Sequence, residues 1–131
     1  MTIARGQFEL ASWDENTYQE LEGGGKLTRA TVTQTFSGDV SGEGAAQWLM
    51  AYRSDGTAHF IGLQRIRGAL HGRDGEFVLE TIGDFDGKVA TWTCSVVEGS
   101  GSGALEGLRG RGSFGAPKGP TASFELEYEI G

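Results

Sequence analysis

The chain is poor in the residues that usually give a function away. In 131 residues it has one cysteine, two prolines and two histidines. One cysteine cannot close an internal disulfide, and no Cys-His spacing suited to zinc is present, so a stapled scaffold and a structural zinc site are excluded. His59 and His71 make no visible Ser-His-Asp triad and argue against a histidine-based metal site. No run approaches the ~20 apolar residues of a bilayer span, so no membrane partner is expected. The opening MTIARGQFEL lacks the basic-then-apolar order of a secretory signal, which predicts a cytoplasmic location. Positive charge is scarce too: 11 Lys and Arg against 18 Asp and Glu leave a net charge of −7, so nucleic acid is not an expected partner. Nor does any motif call for a cofactor.

Glycine, by contrast, is abundant. Its 23 residues are far above the usual ~7% of a chain. There is no Gly-X-Y period, and two prolines exclude collagen and Pro-rich disorder alike. The glycines fall between short alternating runs, the pattern of an all-β meander. Phe124, Leu126, Tyr128 and Ile130 alternate with Glu125, Glu127 and Glu129, so that strand buries one face and wets the other. Phe8 and Leu10 alternate with Gln7 and Glu9 in the same way. Between these runs, strands are expected near 27–38, 40–53, 57–71, 76–85 and 88–97, followed by a Gly-rich stretch to 103. Helical periodicity is nearly absent. The acidic stretch from Asp14 to Glu22 reads as a loop holding at most a helical turn, and Ala104 to Leu108 has room for another. No linker divides the chain, so residues 1–131 are expected to form one domain.

Turn chemistry predicts the registers. Asp86-Gly87 suits a two-residue hairpin that pairs Gly83 with Ala90, Thr81 with Trp92 and Leu79 with Cys94. A turn at Arg73-Asp74 sets Leu70 against Phe77, Gln64 against Gly83 and, outside, Arg67 against Glu80. Ser54-Asp55-Gly56 is a fork. A three-residue loop with Gly56 left-handed pairs Met50 with Phe60 and Trp48 with Gly62; a two-residue turn slips this by one and turns Trp48, Met50 and Tyr52 outward. The first is preferred, because an indole packs well over a glycine. Continuing through Gly38-Asp39 then places Arg29, Thr31, Thr33 and Thr35 inside. Gly62, Gly68 and Gly83 also point inward; they either leave volume for a ligand or only make room for indoles and strand coiling.

Along nearly its whole length the chain resembles a bacterial family known as domain of unknown function 3224. The resemblance rests on FELASWDE, KLTRATVTQTFSGDVSGEG, WLMAYRSDGTAHFIGLQRIRGAL, GEFVLETIGDFDGKVATWTCSVVEGSGSG and ALEGLRGRGSF, in that order. It implies a single antiparallel β-barrel of about eight strands, similar to that of allene oxide cyclases, and brings no catalytic residues with it. The chain departs from the family pattern at Gln64, where an acid is common, and around Trp92 and Cys94.

Candidate ligand-binding residues follow from the preferred registers. Trp48, Met50, Phe60, Phe77 and Trp92 form apolar walls, with Tyr52 and Thr81 beside them. Arg29, opposite Trp48, can stack on the indole or grip a carboxylate. Gln64 can orient a carbonyl but has no proton to exchange. Glu43 and Tyr52 offer acid-base chemistry if they face a pocket. Cys94 reads as a buried, inert thiol. SGSGALEGLRGRG lacks the Lys-Ser/Thr end of a phosphate loop and reads as a turn. Ile61, Leu63, Val78 and Ile82 fall on the outer face, which is apolar enough to predict a homodimer or larger assembly.

Three functions fit these features: a barrel that binds a small, largely apolar molecule, a cofactor-independent isomerase or cyclase for a lipophilic substrate, or a filled barrel serving as an interaction module. A cavity well above ~300 Å³ among the named walls would favour the first two.

Overall fold

A computed structural model describes residues 1–117 and 122–131. Nine strands run through it: β1 (Thr2–Glu20), β2 (Lys26–Gly38), β3 (Val40–Tyr52), β4 (Ala58–Leu70), β5 (Arg73–Phe85), β6 (Val89–Val96), β7 (Ser102–Gly103), β8 (Leu108–Pro117) and β9 (Ala122–Ile130). There is no helix among the described residues. The neighbours run β4-β3-β2-β1-β9-β8-β6-β5, and β4 pairs with β5, so eight antiparallel strands close a barrel. The two-residue β7 pairs with β5 as an extra strand. Closure pairs both sides of most strands, while among the described residues β1 beyond Phe8 keeps one side unpaired.

The alternation seen in the sequence becomes the inside and outside of this barrel. Phe124, Leu126 and Tyr128 of β9 are buried, while Glu125 and Glu129 are exposed. The Ser54–Gly56 loop takes the three-residue form. Arg53 N–H donates to the Thr57 carbonyl, and Gly56 is left-handed. Met50 therefore faces Phe60 and Trp48 faces Gly62, as expected.

Other turns correct the expected registers. The β4–β5 turn is His71-Gly72, with positive φ at both residues as a type I′ turn requires. Leu70 accordingly pairs with Arg73, Gln64 with Leu79 and Arg67 with Glu76 rather than Glu80. The β5–β6 turn lies around Gly87-Lys88, so Gly83 pairs with Trp92 and Thr81 with Cys94. Both slips are even, so no side chain changes face.

The β2–β3 corner is different. Its pairing sets Arg29 against Leu49 and Ala30 against Trp48, one residue from the expected register. An odd slip exchanges the faces. Arg29, Thr31, Thr33 and Thr35 are outside and exposed, whereas Thr28, Ala30, Val32, Gln34 and Phe36 line the interior.

The acidic stretch is also corrected. It is not a loop: β1 extends to Glu20, and Leu21–Gly25 makes the turn into β2, closed by Leu21 N–H donating to the Gly25 carbonyl. Two bulges, at Ala11 and Tyr18, break the alternation that would have marked the strand. Ala104–Gly107 is a turn rather than a helix.

The lower barrel is packed solid. Phe8, Phe36, Phe114 and Phe124 meet with ring centroids 5.5–5.7 Å apart along the contacting edges. Trp92 stacks on Phe114 at 5.1 Å and links this layer to Trp48, also at 5.1 Å. Edge-to-face and offset arrangements of this kind suit the ring quadrupoles.

Candidate functional site

The inward glycines do not leave volume in the core. A Cβ built on Gly62 would lie 2.6 Å from Trp48 Cδ1, and one on Gly83 would lie 2.5 Å from Trp92 Cβ and 2.6 Å from Phe60 Cζ. The space is already taken by the adjacent strands' backbone, with the Gln47 and Thr91 carbonyl oxygens nearest to those positions, and by the aromatic walls. At Gly68 the neighbouring backbone of Ser41 and Gly42 occupies it.

A cavity remains higher up, at the mouth of the barrel. It measures about 230 Å³ and is walled by Trp48, Met50, Tyr52, Phe60 and Trp92, which are five of the nine expected residues. Leu10, Trp13, Phe85, Ala90 and Ala116 complete it, so its lining is almost wholly apolar. The volume exceeds the ~150 Å³ of an apolar cavity that holds benzene. It falls below the ~300 Å³ at which drug-sized sites begin, so the size expected of a ligand-binding barrel is not reached. One ring or a short chain fits.

The other expected residues lie elsewhere. Arg29 is on the outer face. Phe77 is buried in the core away from the cavity. Thr81 is fully buried; its hydroxyl accepts from Trp48 Nε1 at 2.9 Å and donates to the Gly62 carbonyl at 3.2 Å. It therefore fixes the indole that forms one wall. Gln64 is not beside Gly83 but donates its Nε2 to Gln34 Oε1 at 2.6 Å, deep in the barrel. Glu43 is exposed outside. His59 is external and bonds Asp84 at 3.0 Å. Burial pushes the Cys94 thiol up to about 12, which suits an inert side chain.

The sequence reading missed Trp13, where the bulge at Ala11 breaks the alternation, and Glu15, which lies in the Asp14–Glu22 stretch read as a loop. After the bulge at Ala11, Trp13 pairs with Val32 and Glu15 with Ala30, both inward positions of β2. The bulge re-aims these two side chains toward the mouth, a common use of such a kink. Trp13 lies 6.0 Å from Trp48, centroid to centroid. Glu15 is half-buried; its carboxylate accepts from Trp13 Nε1 at 3.0 Å and from the buried Thr28 hydroxyl at 2.6 Å. Burial pushes the Tyr52 phenol well above its usual range, and the nearby Glu15 carboxylate adds to the effect. Tyr52 therefore stays a hydrogen-bond donor at any physiological pH.

Tyr52 divides two spaces. On one side is the apolar cavity; on the other is a polar cleft of about 480 Å³ with Glu15, Thr28, Lys26 and Arg53 among its walls. Lys26 Nζ sits 5.3 Å from the Tyr52 ring centroid. The one trace of this arrangement in the sequence is the change of parity between Phe8-Leu10 and Trp13-Glu15, the mark of a bulge.

A larger hollow, about 750 Å³, crosses the outside of β5, β6, β8 and β9. It is a shallow depression open to solvent, so it does not enclose a ligand. No group of three or more potential metal-ligating side chains occurs among the described residues. No helix among them is long and apolar enough to cross a membrane.

Fold and site together define a small closed antiparallel β-barrel with an aromatic cavity at one mouth. The chain belongs to the DUF3224 family, described as proteins of unknown function, whose pattern it matches over residues 4–128. It is also similar to the crystal structure of a DUF3224 protein of unknown function from Shewanella oneidensis MR-1. The two share 27% identity and a TM-score of 0.85, with 100% of this chain and 98% of that one covered. No curated protein matches the sequence.

Proposed function

We propose that the protein binds a small, largely apolar molecule at the barrel mouth, with its apolar part among Trp13, Trp48, Met50, Phe60 and Trp92. The observation that carries this reading is the apolar cavity of about 230 Å³ above an otherwise filled core. A cavity with apolar walls and few polar groups at its rim is the usual form of a small-molecule site. Arg29 has no part in it; Tyr52 lines the cavity and meets the polar end of the ligand, with Glu15 in the cleft behind it. A second reading, cofactor-independent isomerisation of a lipophilic substrate, is favoured by that same pair. A carboxylate beside a phenol kept protonated can move a proton and hold a developing oxyanion. The likeness to allene oxide cyclases belongs to this reading and rests on fold analogy alone.

Titration with neutral aromatic probes such as naphthalene or 2-naphthol, followed by tryptophan fluorescence, tests binding. Saturable quenching is expected for the native chain. Met50→Trp, which fills the cavity, should abolish it while leaving the circular dichroism unchanged. A native protein that saturates with no neutral probe would refute the reading.

A further inference from the structure

The outer face of β3, β4 and β5 carries an apolar cluster that the barrel does not use. Leu49 pairs with Ile61 and Ile61 with Ile82, so the three form one row across adjacent strands, with Leu63 two residues along β4. Each is about half exposed, from 45% for Leu49 to 53% for Leu63. Scattered exposed aliphatics need no explanation, but a contiguous patch of this kind marks a contact surface. Leu27 and Ala51, paired with each other and half-buried on the same outer face, extend it.

The charges around the patch are arranged asymmetrically. Arg29 on β2 pairs with Leu49 and so stands at one end of the row. Glu80 on β5 pairs with Leu63 and stands on the opposite flank. Both are exposed, and neither forms an ion pair among the described residues. The neighbouring charges are already engaged: Asp84 bonds His59 at 3.0 Å, and Arg65 meets Glu76 at 3.5 Å.

We propose that this face binds a second copy of the chain in an isologous dimer. A two-fold axis running along the strands between β3 and β4 sets β2 of one copy over β5 of the other and β3 over β4. Leu49 then packs against Ile61 of the other copy, and Arg29 reaches Glu80 of the other copy. The symmetry repeats each contact, which gives an apolar centre closed by two identical ion pairs. A patch with a base on one flank and an acid on the other is complementary to itself.

Strands β2 to β5 are 13 residues each. At about 3.4 Å per residue and about 4.8 Å between strands, their outer face spans roughly 40 by 19 Å. Four of the eight strands wrap about half of the closed barrel, so β3 and β4 face the partner squarely while β2 and β5 curve away, and the contact is smaller than the ~800 Å² each partner buries in a standard interface. The apolar centre excludes water from the contact, and the flanking charges fix its register.

Sedimentation equilibrium at micromolar concentration tests the assembly. The native chain should run at twice its 13.9 kDa mass. Ile61→Asp should run as a monomer with unchanged circular dichroism, because that side chain makes no core contact. Arg29→Glu should weaken the dimer at least tenfold, and the double variant Arg29→Glu/Glu80→Arg should recover it. A monomeric native chain, a dimeric Ile61→Asp variant, or a double variant no tighter than the single one would each overturn the proposal.

Discussion

Gly83 shows how little room the upper core leaves at a single position. Its missing side chain is what lets Trp92 and Phe60 approach the β5 backbone, and Gly62 does the same for Trp48. Gly83→Ala forces a methyl group into contacts of 2.5–2.6 Å with both aromatics and closer still with the Thr91 carbonyl oxygen. Overpacking of this kind costs about 1–3 kcal/mol. Urea unfolding should show that loss as a lower midpoint with an unchanged slope. Gln34 and Gln64 show the opposite economy. Their one mutual bond leaves Gln34 Nε2 and Gln64 Oε1 without a protein partner. A buried group of that kind normally costs stability where nothing else satisfies it.

The strand that matters most to the proposed site is β1. Its first part, Thr2 to Phe8, pairs with β9 and helps close the barrel; beyond that it pairs with β2 alone among the described residues. The bulge at Ala11 lies at this change of role. It moves the inward positions from even to odd numbers, so Phe8 and then Trp13 and Glu15 face the interior. Deleting Ala11 removes the extra residue, and the strand beyond it then keeps the parity set by Phe8. Trp13 and Glu15 should turn outward, exchanging places with their neighbours. The expected outcome is a red-shifted tryptophan emission and loss of 2-naphthol binding, with the β-sheet circular dichroism retained. Binding that survives the deletion would remove Trp13 and Glu15 from the site.

Across the whole molecule, three carboxylates at the connections share one behaviour. The backbone N–H of Arg5, 2.8 Å away, holds Asp39 below the usual carboxylate range, and His71 adds to it. The Thr57 hydroxyl and backbone do the same for Asp55, and the backbone N–H groups of Val89 and Lys88 for Asp86. A carboxyl whose folded value lies below its unfolded one contributes stability above the unfolded value, near 3.9, and loses it as pH falls through the folded one. Melting temperature should therefore hold steady from neutrality down to about pH 4 and fall below it. Replacing all three with Asn should flatten that acid limb in a thermal melt series. Asp39 also ties one end of the barrel together: His71, which bonds the Tyr128 hydroxyl, lies 3.4 Å from it, so two turns and β9 meet there.

The amino-acid order alone determined the β class and most strand positions; at the Ser54–Gly56 loop it left two registers, of which the structure has the preferred one, with Trp48 and Met50 inside. Those features depend on alternation and turn residues, which are local. It also determined five of the mouth's walls, because side-chain parity survives any even error in register. What only the tertiary structure decided was parity at places where the chain breaks its own period. The corner at Asp39 slipped β2 by one residue and sent Arg29 out of the barrel. The bulge at Ala11 brought Trp13 and Glu15 in. Whether the inward glycines left a cavity was likewise decided by packing: the indoles that fill their space come from neighbouring strands, and no local pattern records how deeply two strands' side chains interpenetrate.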